Sequence, residues 1–163
     1  PINEHGKTSF VGIVKTKEET GDSWKIKGSK AELLQDFQTY GEDTCSMIDS
    51  SNEVYKWGIY TRPALKTMHT KNVTLLGDAV HATTPHLGQG AGMAIEDSLV
   101  LAEELTRASD PEAAFAAFRA RRVERCRYIV EASVAICESQ VRGRHVDQGK
   151  ATADMFEIVA QPI

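Results

Sequence analysis

The chain has 163 residues, 19 basic and 23 acidic, with a formal net charge of −4; 41% of it is apolar and 26% charged. That is ordinary globular composition with enough length for a core, and no apolar run is long enough to span a membrane as a helix. The mild acidity excludes a nucleic-acid or anionic-membrane partner recruited by bulk charge, and no leader-like stretch is visible, so a cytoplasmic protein is expected. Cys45, Cys126 and Cys137 form no close pair. The last two lie eleven residues apart in one expected helix, about 16 Å along its axis and too far for a disulfide. Reduced thiols are expected.

In chain order, residues 8–15 (TSFVGIVK) and 23–27 (SWKIK) read as strands joined by a polar turn at Gly21-Asp22. Ser29 and Glu32 fit a capping box opening a helix that runs to about Tyr40, with Leu33, Leu34 and Phe37 inward. Residues 42–50 read as a short helix with Cys45 and Ile48 inward. Residues 54–61 (VYKWGIYT) give a third strand signal, stopped by Arg62-Pro63, and residues 72–76 (NVTLL) a short buried strand. A loop over 77–89 leads into a helix from Gly90 to Arg107, whose apolar stripe is Ala91, Ala94, Ile95, Leu99, Ala102 and Leu105. Asp110-Pro111 opens the next helix, which reaches about Gln140 with Phe115, Phe118, Cys126, Ile129 and Ile136 inward. A last short helix is expected near residues 153–159.

Strands first and helices later make an α+β pattern, an antiparallel sheet portion followed by a loop and C-terminal helices. Residues 1–70 form the partial sheet and residues 71–163 the loop and helices. So small a sheet leaves two edges to protect, which predicts a homo-oligomer or a missing companion piece.

The informative stretch is Leu75 to Leu105, LLGDAVHATTPHLGQGAGMAIEDSLVLAEEL. A long loop inside a compact domain is usually functional. Gly88, Gly90 and Gly92 keep side chains away from a ligand, and the first N–H groups of the following helix lack internal partners. Together they suit an anion or a polar carbonyl. A dinucleotide-binding G-x-G-x-x-G starting at Gly88 would need glycine where Met93 stands, and G-K-[ST] is absent. A planar, electron-rich ligand therefore fits better than a bare pyrophosphate. The plain alternative is a glycine-rich segment that only turns the chain.

Gly77-Asp78-Ala79-Val80-His81, Pro85, Gly88-Gln89-Gly90, Ile95-Glu96-Asp97 and Leu101-Ala102 closely resemble the second flavin motif of the FAD-dependent aromatic-ring hydroxylases. These are single-component flavoprotein monooxygenases of the 4-hydroxybenzoate and salicylate hydroxylase type. Looser likenesses are the Pro1-Ile2 start, Trp57, Arg62-Pro63 and the arginine-rich helix from Arg119 to Arg127. The resemblance implies hydroxylation of a small aromatic substrate, with FAD as cofactor, NAD(P)H as co-substrate and O2. It implies that Asp78 bonds the FAD ribitol, with Gly77 allowing the close turn, and that Pro85 is the catalytic proline beside the flavin ring. Gly88, Gln89 and Gly90 would line the ring's pyrimidine edge, and the N–H groups of Ala91 and Gly92 would meet N1 and O2. A helix N-terminus is worth about 0.3–2 kcal/mol to an anion, which suits the charge a reduced flavin carries there.

The family's first flavin motif, on an N-terminal βαβ Rossmann unit, is absent, as is its Asp-Gly motif. The chain therefore resembles the C-terminal part of a monooxygenase whose partner is the missing N-terminal half, and activity alone is not expected. The same loop serves flavin epoxidases and urate-type hydroxylases, so the loop does not choose among them. A non-catalytic remnant or interaction module is the different-class alternative.

Asp78, His81 and His86 match no tight zinc spacing, so no metal is expected. His81 reads as a structural loop histidine. His86 faces either the substrate pocket or solvent, and Trp57, Phe10 and Tyr60 either the core or the pocket. The five arginines from Arg119 to Arg127, interspersed with Glu124, read as an exposed charged face. Glu96 and Asp97 suit the helix dipole.

Overall fold

A computed structural model describes residues 8–17, 19–21, 23–63, 65, 67–141 and 153. Apart from Ala153, the expected helix at 153–159 lies outside the described residues, as do the Pro1-Ile2 start and the Asp22 half of the first turn. The chain divides into two compact units, Pro1–Gly58 and Ile59–Ile163.

In the first unit, α1 spans Lys30–Phe37 and a single 3-10 turn, Gln38–Tyr40, continues it. Ser29 Oγ accepts the Glu32 N–H at 3.3 Å, one half of the expected capping box. Gly41, at φ 95°, breaks the chain between that turn and α2, Glu42–Asp49. A non-glycine residue rarely adopts that angle. Among the described residues of this unit Phe37 and Ile48 are the buried side chains, and the Phe10 ring meets Phe37 edge-on at 5.4 Å. Cys45 is only half-buried, its Sγ 3.8 Å from the Phe37 carbonyl.

The expected sheet is not present among the described residues. The pairs between described residues are isolated antiparallel bridges, Lys27 with Tyr55 and His69 with Thr74. Around the first, the Gly28 N–H donates to the Val54 carbonyl and the Lys56 N–H to that of Ile26. The physical reason is lack of cover. Two paired segments are marginal in water unless one face is buried. Here Val11, Trp24, Trp57 and Ile59 stay exposed. Residues 72–76 likewise form one arm of a short turn, in which the Thr70 N–H bonds the Val73 carbonyl and the Leu75 N–H that of Met68.

The second unit is built on two long helices. A one-turn helix, α3 (Asp78–His81), interrupts what reads as loop. A 3-10 turn, Pro85–Leu87, precedes α4, Gly90–Arg107, and then comes α5, Pro111–Val141. Asp110 caps α5 through its Oδ1, 2.9 Å from the Ala113 N–H, and Pro111 is the first residue. Met68, Val80, Val100 and Phe118 form one core cluster, and Met93, Cys126, Ile129 and Val130 a second. Every α5 residue expected inward is buried.

The face of α4 is a correction. Its buried residues are Met93, Asp97, Val100 and Glu104, whereas Ile95, Leu99 and Leu105 are 71%, 54% and 48% exposed. A second correction concerns the arginine run, because Arg122 is fully buried. The two have one cause: the acids of α4 and the arginines of α5 neutralise each other across the helix pair.

Candidate functional site

The loop is held from beneath by one carboxylate. Gly77 has φ 58° and ψ −145°, a conformation open to glycine, and its N–H donates to Asp97 Oδ2 at 2.9 Å. His81, 3% exposed, places Nε2 2.6 Å from the same oxygen. Arg122 Nε donates to Asp97 Oδ1 at 2.8 Å and Nη2 to the Met93 carbonyl at 3.3 Å. Its Nη1 lies 2.7 Å from Glu96 Oε2, near enough for an ion pair but out of line for a hydrogen bond. Glu96 also takes a two-pronged contact from Arg125 at 2.6 and 2.8 Å.

Burial opposes charge on Asp97, but the bonds from His81, the Gly77 N–H and Arg122 outweigh it and hold the carboxyl below its ordinary range. Burial also opposes charge on His81, and Asp97 and Cys126 overcome it, raising the imidazole to about 10. The centre is therefore a buried carboxylate between two cations. His81, Asp97 and Cys126 bring three donor atoms within 4.8 Å of one another. Asp97 also bonds Arg122 and the Gly77 N–H, so the trio is part of a wider buried hydrogen-bonded ion-pair network.

From this anchor the loop climbs to the start of α4. Arg62 Nη1 donates to the Ala79 carbonyl at 2.8 Å and Thr61 Oγ1 to that of Ala82 at 3.1 Å. Ser133 Oγ donates to the Thr84 carbonyl at 2.7 Å, leaving the Thr84 hydroxyl to donate back to Ser133 Oγ, also at 2.7 Å. Pro85 follows, exposed, its carbonyl accepting the Gly88 N–H at 3.0 Å. Gly88 sits at φ 65°. Asp78 is exposed on the first turn of α3.

No side chain caps α4, whose N-cap is Gln89. The Met93 N–H, bonded to the Gln89 carbonyl, is the first to join the helix ladder, so the N–H groups of Gly90, Ala91 and Gly92 precede it. A Cβ at Gly88 would meet nothing within 4 Å; at Gly90 and Gly92 the nearest atoms are Thr83 Cγ2 at 3.7 Å and Gln89 Oε1 at 3.5 Å. The terminus thus presents uncapped donors beside a run of glycines that is open at Gly88 and bordered by the Thr83 and Gln89 side chains at Gly90 and Gly92. That fits the edge of a flat, electron-rich ring. His86 is half-buried with both ring nitrogens enclosed and unpartnered among the described residues, and burial pushes its pKa down.

The structure gathers Gly77, Asp78, Pro85, His86 and Gly88 through Gly92 on one continuous segment of the second unit. Trp57 and Phe10 belong to the first unit. There Trp57 tilts against Trp24 at 5.5 Å and Phe10 packs on Phe37. Sequence reasoning missed Asp97 and Arg122 as the anchor. The available signal was Asp97 itself, four residues after Met93 and three before Val100, on the stripe that turns out to be buried.

The FAD binding domain family matches residues 1–133, and the chain belongs to that family. Over 117 residues it is 38% identical to a 6-hydroxynicotinate 3-monooxygenase of Pseudomonas fluorescens, covering 71% of this chain and 30% of that protein. Over 83 residues it is 43% identical to a chloroplastic zeaxanthin epoxidase of Nicotiana plumbaginifolia, covering 50% of this chain and 12% of that one. The crystal structure of Klebsiella pneumoniae HpxO complexed with FAD and uric acid matches with a TM-score of 0.60 and 25% identity, over 81% of this chain and 34% of that one. The chain thus spans about a third or less of the length of these relatives.

Proposed function

We propose that this chain supplies the flavin-ring portion of an FAD-dependent monooxygenase that hydroxylates a small aromatic or related ring substrate with NAD(P)H and O2. The observation that carries the reading is the uncapped start of α4 beside its glycines, preceded in the same segment by an exposed aspartate turn and the Pro85–Leu87 turn. Bound there, FAD would supply the redox and oxygen chemistry.

The residues of this chain bind and orient. Asp78 meets the ribitol hydroxyls, and Gly77 turns the chain tightly enough to bring it there. Gly88, Gln89 and Gly90 line the pyrimidine edge, and the N–H groups of Ala91 and Gly92 face N1 and O2, where the helix dipole favours negative charge. Pro85 stands beside the ring on the substrate side. His86, neutral because burial disfavours its charge, has one donor and one acceptor nitrogen to offer a substrate. Residues 1–70, with Trp57 and Phe10, are read as part of the substrate domain and residues 71–163 as the flavin loop and its helices. An epoxidase of the same family is the second reading, supported by the 43% identity to zeaxanthin epoxidase.

The test is FAD retention by a chimera in which this chain replaces the matching segment of the Pseudomonas fluorescens enzyme, followed by visible absorbance. Stoichiometric flavin is expected, and Gly92→Val, which puts branched carbon beside the uncapped N–H groups, should weaken retention at least tenfold. A folded chimera without flavin sinks the reading. The isolated chain should quench FAD fluorescence only weakly, since it holds one end of a long ligand.

A further inference from the structure

The turn that carries Pro85 is tied to a hydroxyl on α5. From Cys126 onward the buried stripe of that helix runs Cys126, Ile129, Val130, Ser133 and Ile136, so one polar residue stands where the helical spacing otherwise places apolar ones. Ser133 is fully buried. A buried hydroxyl costs free energy unless it is hydrogen-bonded, and a serine inside a helix commonly turns back to the carbonyl four residues earlier. Ser133 instead reaches Thr84, 49 residues earlier. Its Oγ donates to the Thr84 carbonyl and accepts the Thr84 hydroxyl, each at 2.7 Å. The serine's one donor is therefore spent on a single residue, itself only 4% exposed.

The bonded carbonyl is the acyl half of the Thr84–Pro85 peptide. A planar peptide and a proline ring leave little freedom beyond it, so a bond at that oxygen sets where Pro85 lies. On the other side of the turn, Leu87 packs against the cluster of Met93, Cys126, Ile129 and Val130. Pro85 is thus the exposed crest of a turn whose two feet, Thr84 and Leu87, are both held. Asp97 anchors Gly77 and His81 at the start of the loop, and the Pro85 turn has this separate attachment. We propose that Ser133 is a positioning residue for the flavin site: through the Thr84 carbonyl it fixes how far Pro85 projects toward the ring. The inference rests on the flavoprotein reading and adds to it a residue of α5, well outside the glycine loop.

The pair makes an ordered prediction. Ser133→Ala removes the donor and leaves a buried carbonyl unpaired. Thr84→Val removes only the second bond, because the carbonyl belongs to the backbone. Thr84→Ser keeps both. The test places these changes in the chimera with the Pseudomonas fluorescens enzyme and reads amide hydrogen exchange and the visible circular dichroism of bound flavin, a signal set by the ring's surroundings. Ser133→Ala is expected to speed exchange over residues 86–90 roughly tenfold, leave residues 77–81 unchanged, and cut the dichroism to about half while FAD stays stoichiometric. Thr84→Val should change both signals less, and Thr84→Ser should keep the native values. Ile129→Val is the control: it thins the adjoining packing without touching a hydrogen bond, and should lower the unfolding midpoint with the dichroism intact. Native exchange and dichroism in a Ser133→Ala chimera that holds FAD overturn the positioning role and leave the flavoprotein reading standing. An Ile129→Val chimera that matches Ser133→Ala in both signals also overturns it, since packing alone then accounts for the effect. A folded parent chimera without FAD overturns the flavoprotein reading and this inference with it. Where Ser133→Ala does not fold, the Thr84 pair decides: a loss in Thr84→Val alone supports the role, and equal signals from Thr84→Val and Thr84→Ser overturn it.

Discussion

Asp97 carries more of this structure than any residue of the glycine loop. It holds Gly77, His81 and Arg122 at once while fully buried. Removing one member of a buried charge network leaves the others uncompensated, at a cost of about 3–5 kcal/mol. Asp97→Ala should therefore lower stability by that amount in urea unfolding, far more than loss of the exposed Asp78. The network also sets a pH dependence. His81 is raised from 6.5 to about 10 in the folded state. Its contribution is complete below the unfolded value and is lost as pH rises through about 10. Asp97 is depressed, so its contribution is present above the ordinary aspartate value and lost as pH falls through the folded one. Unfolding midpoints measured in steps from pH 6 to 10 should decline in the native chain, and His81→Gln should remove part of that decline. Parallel curves would contradict a charged His81.

At the scale of elements, the helices obey local rules. Ser29, Asp110 and Pro111 mark the starts of α1 and α5, and the α4 start at Gly90 is equally readable. Ser29→Ala should cost about 1 kcal/mol through the Glu32 N–H it leaves unbonded. Phe118→Ala, in the cluster with Met68, Val80 and Val100, should cost about 3–5 kcal/mol by the cavity it opens. Chemical denaturation reads both, and a smaller loss for Phe118 than for Ser29 would misplace the core. The inward face of α5 was legible because its apolar residues recur at helical spacing. The inward face of α4 was not, since the same rule selects Ile95, Leu99 and Leu105, which are exposed. Periodicity registers apolar residues, and here the buried stripe is half acidic.

At the scale of the whole molecule, the resemblance carried by Gly77 to Ala102 led to the family that residues 1–133 match. The starts of α1, α4 and α5 and the Ser29 and Asp110 caps could be determined from sequence alone, because each depends on dihedral preferences and hydrogen bonds within a few residues, whereas the one-turn α3 inside the expected loop could not. Two matters were decided only in three dimensions. The strand-like segments remain isolated bridges, because pairing needs a covered face that spacing along the chain does not reveal. Asp97 and Glu104 lie inside α4 because Arg122 and Arg121 meet them from another helix, 25 and 17 residues further on. A charge is buried or exposed according to what stands opposite it, and that partner is set by tertiary packing.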